Sequence, residues 1–553
     1  MIKNEPPASP KALSALSRRS LFKLSGLAAA SAATPAAARS FGSGFTHGVA
    51  SGEPSQTRVL LWSRFVGEQD TTIEWDVSET MDFARVVASG SVTAGASRDW
   101  CIKSFAEGLT PGAWYYYRFT APDGSESEVG RTRTLPEGET QRFRMAVFSC
   151  SNYGFGYFNA YAHAAEANDV DLAVHLGDYI YEYGAGTYPS SREAHPTRTL
   201  FPDSEIVALT DYRLRYATYR SDPDLRRIHQ LLPMIAAWDD HESANDSWKG
   251  GAQNHQVETE GDWKMRKAVA KRAYREWMPV SDEPYAEYQI GDLATLLRLD
   301  TRLEGREEQF NIGDVIQGKR TAEDMGAALA AFRDGAYRAK DRELLGAPQH
   351  AWLADRLMTS RNAGTQWQVL VQQVLMGELY TAPQLADAVP DSAPDFIKRR
   401  VQASALAGRA GLPANMDAWD GYPAARERLF AASLAADANL ISLAGDTHNA
   451  WGFELNHSGE KVGVEFATHS VSSPGLESYL GAIPPQDLAR AVVGHNARLK
   501  YADTSQRGYM VVELTPASAS AEFRFMAGIR QRSTRVAGAK RIVASAGSRE
   551  LAI

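Results

Sequence analysis

The amino-acid sequence predicts an α/β fold, a layered α/β unit preceded by a small all-β sandwich. Three observations predict it. Residues 41–136 run in short alternating segments with turn signals between them. Residues 141–553 alternate apolar runs with longer helical stretches, and several of those runs stop at residues able to hold a metal ion. At 553 residues the chain exceeds one ordinary core, which requires two or more folding units. A composition of 44% hydrophobic and 23% charged residues is that of a globular protein and excludes a disordered or fibrous one. The formal net charge of −8 argues against nucleic acid as the partner, because binding a polyanion takes clustered Lys and Arg. Local basic groups can still hold a small phosphate.

Residues 1–38 read as an address and not as part of the fold. Ser17-Arg18-Arg19-Ser20-Leu21-Phe22-Lys23 precedes a mildly apolar run from Leu24 to Ala33 and then Ala36-Ala37-Ala38. A charged region, a short apolar region and an A-x-A end make a signal peptide. The apolar run is about half of the roughly 20 residues that a bilayer crossing takes, so no transmembrane segment is expected. The paired arginines resemble a twin-arginine signal. The expectation is a protein handed to the twin-arginine export machinery and ending periplasmic or secreted.

The first folding unit, residues 41–136, rests on runs such as Arg58-Val59-Leu60-Leu61-Trp62, Thr72-Ile73-Glu74-Trp75-Asp76-Val77 and Trp114-Tyr115-Tyr116-Tyr117-Arg118-Phe119. Thr110-Pro111-Gly112 and Pro122-Asp123-Gly124 punctuate them, which is the pattern of a small β-sandwich. The aromatic run 114–117 fits an alternating strand better than a carbohydrate platform. Leu135-Pro136-Glu137-Gly138-Glu139 reads as a linker to residues 141–553. Beyond it, Trp263 to Trp277 and Ala322 to Tyr337 read as helices.

Four apolar runs end in candidate ligands. Arg144-Met145-Ala146-Val147-Phe148 leads into Ser149-Cys150, and Leu172-Ala173-Val174-His175-Leu176 into Gly177-Asp178-Tyr179-Ile180-Tyr181. Met234-Ile235-Ala236-Ala237 leads into Trp238-Asp239-Asp240-His241-Glu242, and Leu440-Ile441-Ser442-Leu443-Ala444 into Gly445-Asp446-Thr447-His448. Sites in layered α/β sheets collect at the carboxyl ends of strands, where loops are exposed and rigidly held. A thiolate, a phenolate, carboxylates and imidazole in one crevice suit a trivalent or borderline metal such as iron. A second set of Asp, Asn and carbonyl oxygens suits a hard cation such as calcium. Two neighbouring metals answer the difficulty of hydrolysing a phosphate ester, by activating water and neutralising charge on the phosphoryl oxygens. The two cysteines, Cys101 and Cys150, either form one bridge or leave Cys150 for a metal.

At these residues the sequence resembles the alkaline phosphatase D (PhoD) family of metallophosphoesterases. The resemblance runs through Gly48-Val49-Ala50-Ser51-Gly52-Glu53-Pro54, Leu61-Trp62-Ser63-Arg64 and the four strand endings. It continues in Asp211-Tyr212-Arg213-Leu214-Arg215-Tyr216, Leu299-Asp300-Thr301-Arg302 and Asp417-Ala418-Trp419-Asp420-Gly421-Tyr422. It implies a fibronectin-like β domain and a four-layer αββα metallophosphatase sandwich. It also implies ferric iron with one or two calcium ions, and hydrolysis of phosphomonoesters and phosphodiesters by metal-activated hydroxide. Carried over, Cys150, Asp178, Tyr181 and His448 would hold iron, while Asp178, Asn245 and Asp446 would serve calcium. Asp240 and His241 fall where relatives place a metal ligand and a phosphate contact. Arg198 stands where relatives carry an arginine that grips the phosphate, with Arg192 as its rival and Asn245 as a further orienting group.

Some readings stay open at this point. A phospholipase D-like phosphodiesterase acting on phospholipid head groups is the alternative activity, and a binding protein with catalysis lost is a third. His469, in Thr468-His469-Ser470, either touches substrate or caps a loop. Glu182 and Tyr183 continue the loop behind Tyr181. The segment Arg535 to Ile553 reads either as a helix covering the site or as a frayed tail.

Overall fold

Alternation along the strands decides which layer each side chain enters. The structure is a computed structural model and describes residues 42–383, 385, 395–413 and 415–553, so the expected export signal lies outside them. The N-terminal strands are β1 (Gly44–Gly52), β2 (Arg58–Val66), β3 (Thr71–Ser78), β4 (Val86–Ala94), β5 (Cys101–Glu107), β6 (Trp114–Thr120) and β7 (Gly130–Arg133). Three parallel strands follow, β8 (Phe143–Phe148), β9 (Leu172–His175) and β10 (Pro233–Ala236). Then come β11 (Ala286–Ile290), β12 (Ala294–Arg298), β13 (Trp367–Val371), β14 (Leu440–Ala444), β15 (Ala450–His457), β16 (Glu460–Ala467) and β17 (Leu499–Asp503). The last strands are β18 (Gly508–Leu514), β19 (Ser518–Met526), β20 (Val536–Ser545) and β21 (Leu551–Ala552).

These strands form a ten-stranded sheet, β21-β20-β19-β18-β8-β9-β10-β1-β2-β5, a seven-stranded sheet, β11-β12-β13-β14-β16-β15-β17, and a four-stranded sheet, β4-β3-β6-β7. Met145, Val147, Leu172 and Val174 of the first sheet share one core with Val369, Val371, Ile441 and Leu443 of the second, so these two sheets pack face to face. The next residues along each strand point the other way. Ala146, Phe148 and Ala173 pack under helices α1 (Asn159–Ala167), α2 (Leu209–Arg220), α3 (Pro223–Leu231) and α4 (Trp263–Trp277). Leu297, Leu370 and Leu440 pack under α5 (Ala347–Asn362), α6 (Pro423–Ala435) and α7 (Pro485–His495). The layers are therefore helix, sheet, sheet, helix. Both faces of β8, β9 and β14 are covered, which is why their sequences are continuous apolar runs.

The N-terminal strands enclose a core of their own, with Val49, Leu61, Ile73, Trp75, Tyr115 and Tyr117 in it. One wall of that core is β1-β2-β5, and β1 also pairs in parallel with β10 through Ser51↔Pro233 and Gly52↔Met234. The small sandwich thus shares a sheet with the layered unit. The Leu135–Glu139 stretch is tied down as well, since Gly291 and Asp292 donate backbone N–H bonds to Pro136 and Gly138. At the other end the helix-or-tail reading of Arg535–Ile553 is corrected. The segment forms β20, paired with β19 over Val536 to Ser545, and β21. Outward positions of β20 are small or basic and exposed, which masks its two-residue period.

Candidate metal centre

Parallel register brings the first ligand-bearing loops to one level. Phe148 pairs with His175 across β8 and β9, and His175 pairs with Ala236 across β9 and β10. The chain leaves each strand within a few residues of those pairs, and β14 delivers its loop from the facing sheet. Two glycines permit the approach. Gly177 has φ +101°, and a Cβ there would collide with the backbone of Asp239; a Cβ on Gly445 would collide with the Ser149 hydroxyl. The Gly-Asp pairs are therefore close-packing joints between neighbouring loops. Cys150, Asp178, Asp446 and His448 themselves have φ of 58°, 57°, 62° and 64°. Left-handed backbone at non-glycine residues is unfavourable by roughly 1–2 kcal/mol each and persists where surrounding structure over-determines it.

Four overlapping groups of donors result, each with its ligand atoms within 4.8 Å of one another. They are Cys150–Asp178–His448, Asp178–Asp240–His241, Asp239–Asp240–Asp446 and Asp240–Asp246–Asp417. Tyr181 joins the first group, its hydroxyl 2.9 Å from Asp178 Oδ2 and 3.3 Å from His448 Nε2. Cys150 and Cys101 are both free thiols, so the single-bridge alternative falls away. Nδ1 of His448 lies 2.7 Å from the Pro474 carbonyl, to which it donates, leaving Nε2 as the lone-pair nitrogen facing the cluster. Burial holds the His448 pKa at about 3, so the ring is neutral and ready to ligate.

The electrostatics are those of a cation site. Burial raises the Cys150 thiol and the Tyr181 phenol well above their usual values, and the Asp178 charge pushes both further. Asp178 is raised well above the carboxylate range by burial and by Asp240, Asp239 and Glu242, against the opposing pull of His241. Asp178 Oδ1 and Asp239 Oδ2 are buried without a hydrogen-bond partner. Crowded anionic donors with orphaned buried oxygens match the demands of a multivalent cation, and the mixed sulfur, nitrogen and oxygen set fits.

One cation is already built in. Arg302 is buried, and its guanidinium binds Asp239, Asp417 (2.6 Å) and Asp446 (2.9 Å) at once. Arg306 holds the other oxygen of Asp417. Glu242 acts on the backbone, accepting N–H bonds from Asp178 (3.1 Å), Tyr179 (2.6 Å) and Asp239 (2.7 Å) and so clamping the β9 loop to the β10 loop. Glu182 accepts from His241 Nδ1 at 2.6 Å, from the Asn245 N–H and from Asn254. Burial disfavours a charged His241, yet Asp240, Glu182 and Asp178 outweigh it and raise the pKa well above the ordinary value. Glu182 fixes Nδ1 of the ring, and Nε2 lies among the Asp178 and Asp240 carboxylates. Arg215, fully buried, donates to the carbonyls of Tyr181 and Tyr183 and fixes the loop that carries them.

Other expected residues have hydrogen-bond partners of their own. Asn245 is on the β10 loop, with its side-chain amide donating to Gln253 at 3.0 Å. Arg198 is bound to Asp222 and the Tyr153 carbonyl, with its guanidinium 3.4 Å from the centre of the Tyr153 ring. Asp222 also caps α3 through Asp224 and Leu225, so this buried pair belongs to the helix joint. The rival Arg192 is exposed. His469 is buried, donates to the Arg524 carbonyl and packs on Phe525, which is the loop-capping alternative. Sequence reasoning assigned no role to Arg302, Asp246 or Asp417. The strand-ending rule reaches Arg302 once it is applied to β12, whereas Asp417 sits on a loop that no periodic run announces.

Comparison with known proteins agrees with this architecture. Residues 145–523 match the PhoD-like phosphatase family, and residues 29–136 match the PhoD-like phosphatase N-terminal domain. The alkaline phosphatase D of Bacillus subtilis (strain 168) is 33% identical over 510 residues, covering 87% of this chain and 77% of that protein. A solved structure titled "Structure of PhoD" superposes with a TM-score of 0.73 at 28% identity, over 92% of this chain and 91% of that one.

Proposed function

As a member of the PhoD-like phosphatase family this chain is a phosphoric ester hydrolase, and we propose that it hydrolyses phosphomonoesters and phosphodiesters with ferric iron and one or two calcium ions. Cys150, Asp178, Tyr181 and His448 would hold the iron. Asp178, Asp446 and Asn245 would serve calcium, Asn245 by turning its amide away from Gln253. The carboxylates of Asp239, Asp240, Asp246 and Asp417 are near enough to share in the second group. When bound, the cations supply Lewis acidity to the phosphoryl oxygens and acidify a water.

The chain's own residues prepare the rest. His241, its Nδ1 fixed by Glu182 at 2.6 Å, presents its other ring nitrogen to a phosphoryl oxygen or to the departing alkoxide. Arg302 fixes Asp239, Asp417 and Asp446 so that the donors keep their places when the cation load changes. Arg198 binds Asp222 through one Nη and the Tyr153 carbonyl through Nε, which leaves its other Nη for a phosphate oxygen. Export through the twin-arginine route remains part of the proposal. Among the described residues no helix is long and apolar enough to cross a membrane.

The observation that carries this reading is the meeting of Cys150, Asp178 and His448 from three separate loops, with the unprotonated His448 nitrogen and the orphaned Asp178 oxygen in one group. Anomalous scattering at the iron edge, together with elemental analysis, tests it. The expected result is iron beside Cys150, lost in Cys150→Ser together with hydrolysis of p-nitrophenyl phosphate and bis-p-nitrophenyl phosphate. Iron content and activity surviving that substitution would sink the proposal. Phosphatidylcholine assayed in parallel checks the head-group alternative, which a strong lipid preference would install.

A further inference from the structure

A groove of about 510 Å³ lies along α4, away from the ligand cluster, where the helix faces the residues that precede β5. Six cations line it: Arg98, Lys264, Lys267, Lys271, Arg272 and Arg275. Only two carboxylates share the lining, Glu276 and Asp282, and Glu276 is already bound on both oxygens by buried Arg213 at 2.7 Å. In a chain of net charge −8 this is a strong local reversal of sign.

Three of the cations have partners in the fold: Lys271 pairs with Glu304, Arg272 with Glu276 (2.9 Å) and the Ser97 carbonyl, and Arg275 with the Asp282 carbonyl. Arg98 and Lys264 make no side-chain hydrogen bond or ion pair among the described residues, and both are exposed. Lys267 spends its ammonium on the carbonyls of Lys249 (2.8 Å) and Leu303 (3.5 Å) and has no carboxylate. Burial lowers its pKa, and the charges of Lys271 and Lys264 lower it further against the opposing pull of Glu304 and Asp300. Lys264, Lys267, Lys271 and Arg275 recur at three- and four-residue spacing and therefore form one stripe. At 1.5 Å per residue the stripe is roughly 16 Å long, more than a single phosphate can bridge. A line of like charge whose two unpartnered members, Lys264 and Arg98, stand toward opposite ends suits a linear, multiply charged anion.

We propose that this groove binds a linear oligophosphate anion at a site separate from the metal centre. Lys264 grips one end, and Arg98, Arg272 and Arg275 the other. Lys271 lies 5.2 Å over the Trp238 ring and pairs with Glu304, and those residues neighbour Asp239 and Arg302 in the chain.

Calorimetric titration of the metal-loaded protein with tripolyphosphate tests the proposal. Orthophosphate is kept saturating so that the catalytic centre is filled, and calcium exceeds the probe so that chelation does not strip the metals. The expected result is one equivalent of tripolyphosphate bound despite the orthophosphate. Binding should weaken by about tenfold in Arg98→Gln/Lys264→Gln and stay unchanged in Lys319→Gln/Arg320→Gln, a charge-matched pair outside the groove. Lys264→Gln alone, at an exposed helix position, should weaken it by about threefold. Complete displacement of tripolyphosphate by orthophosphate overturns the proposal, as does equal affinity in the two double variants.

Discussion

Replacing Arg302 by Met removes the guanidinium that joins Asp239, Asp417 and Asp446. The Asp239 partner is fully buried, and breaking a buried pair from one side is destabilising by about 3–5 kcal/mol. Asp417 and Asp446 keep 13% and 16% of their side-chain surface, so each lost pair adds at most about 1 kcal/mol after solvent screening. Arg306 still holds Asp417. The total expected loss is about 5 kcal/mol, read from urea unfolding of chelator-treated protein followed by tryptophan fluorescence. The pH dependence sharpens the test. Burial already raises Asp239 to about 6, and Arg302 is the influence that lowers it. Without the guanidinium the folded-state pKa climbs further above the unfolded value of about 3.9. A folded state that binds more protons than the unfolded state loses stability as pH rises, so the penalty of the variant should be larger at pH 8 than at pH 5. Arg302→Lys keeps the charge but cannot span three carboxylates, and should lie between. A penalty equal at both pH values, or larger at pH 5, would refute the reasoning.

Further outcomes follow from the joints around the centre. Glu242→Ala strands three buried N–H donors and should lower stability by about 3 kcal/mol and reduce metal content, with Glu242→Gln milder because one acceptor oxygen remains. Gly445→Ala should unfold at a lower temperature by virtue of the Ser149 collision, at about 1–3 kcal/mol, and Ser149→Gly in the same chain should restore most of the loss. If Tyr181 holds iron as proposed, Tyr181→Phe should abolish a visible phenolate-to-metal absorption of the metal-loaded protein, and in the chelated protein it should be destabilising by about 1 kcal/mol through the lost bonds to Asp178 and Ser473. Arg198→Gln should lower the melting temperature by breaking the buried Asp222 pair and raise KM for p-nitrophenyl phosphate by more than about twofold; an unchanged KM with lowered stability would remove Arg198 from the substrate.

The parts of the centre that sequence reasoning reached share one property. Cys150, Asp178, Asp240 and Asp446 each follow an apolar run whose two faces are both buried, so the run itself advertises the strand and its end. Helix α4 was equally legible, as its bounds Trp263–Trp277 coincide with the periodic stretch. Arg302 was quoted as part of a motif but given no task, because a charge ending a strand looks the same in sequence whether it faces solvent or three carboxylates. Asp417 and Asp246 leave irregular loops, where no period exists to read. The β1–β10 pairing joins residues about 180 positions apart and leaves no local trace at either end. β20 escaped because five of its ten residues are exposed, which blurs the inward–outward contrast of a strand near a sheet edge.

That pairing also limits how the molecule can be cut. A fragment beginning after Arg133 would lose β1 and lay bare the outer rim of β10, the strand that delivers Asp239, Asp240 and His241. Unsatisfied backbone groups along such a rim recruit other chains, so the truncated enzyme should clump before it fails chemically. The small sandwich thus serves as the bookend of the catalytic sheet, and any engineered version of the hydrolase has to keep it.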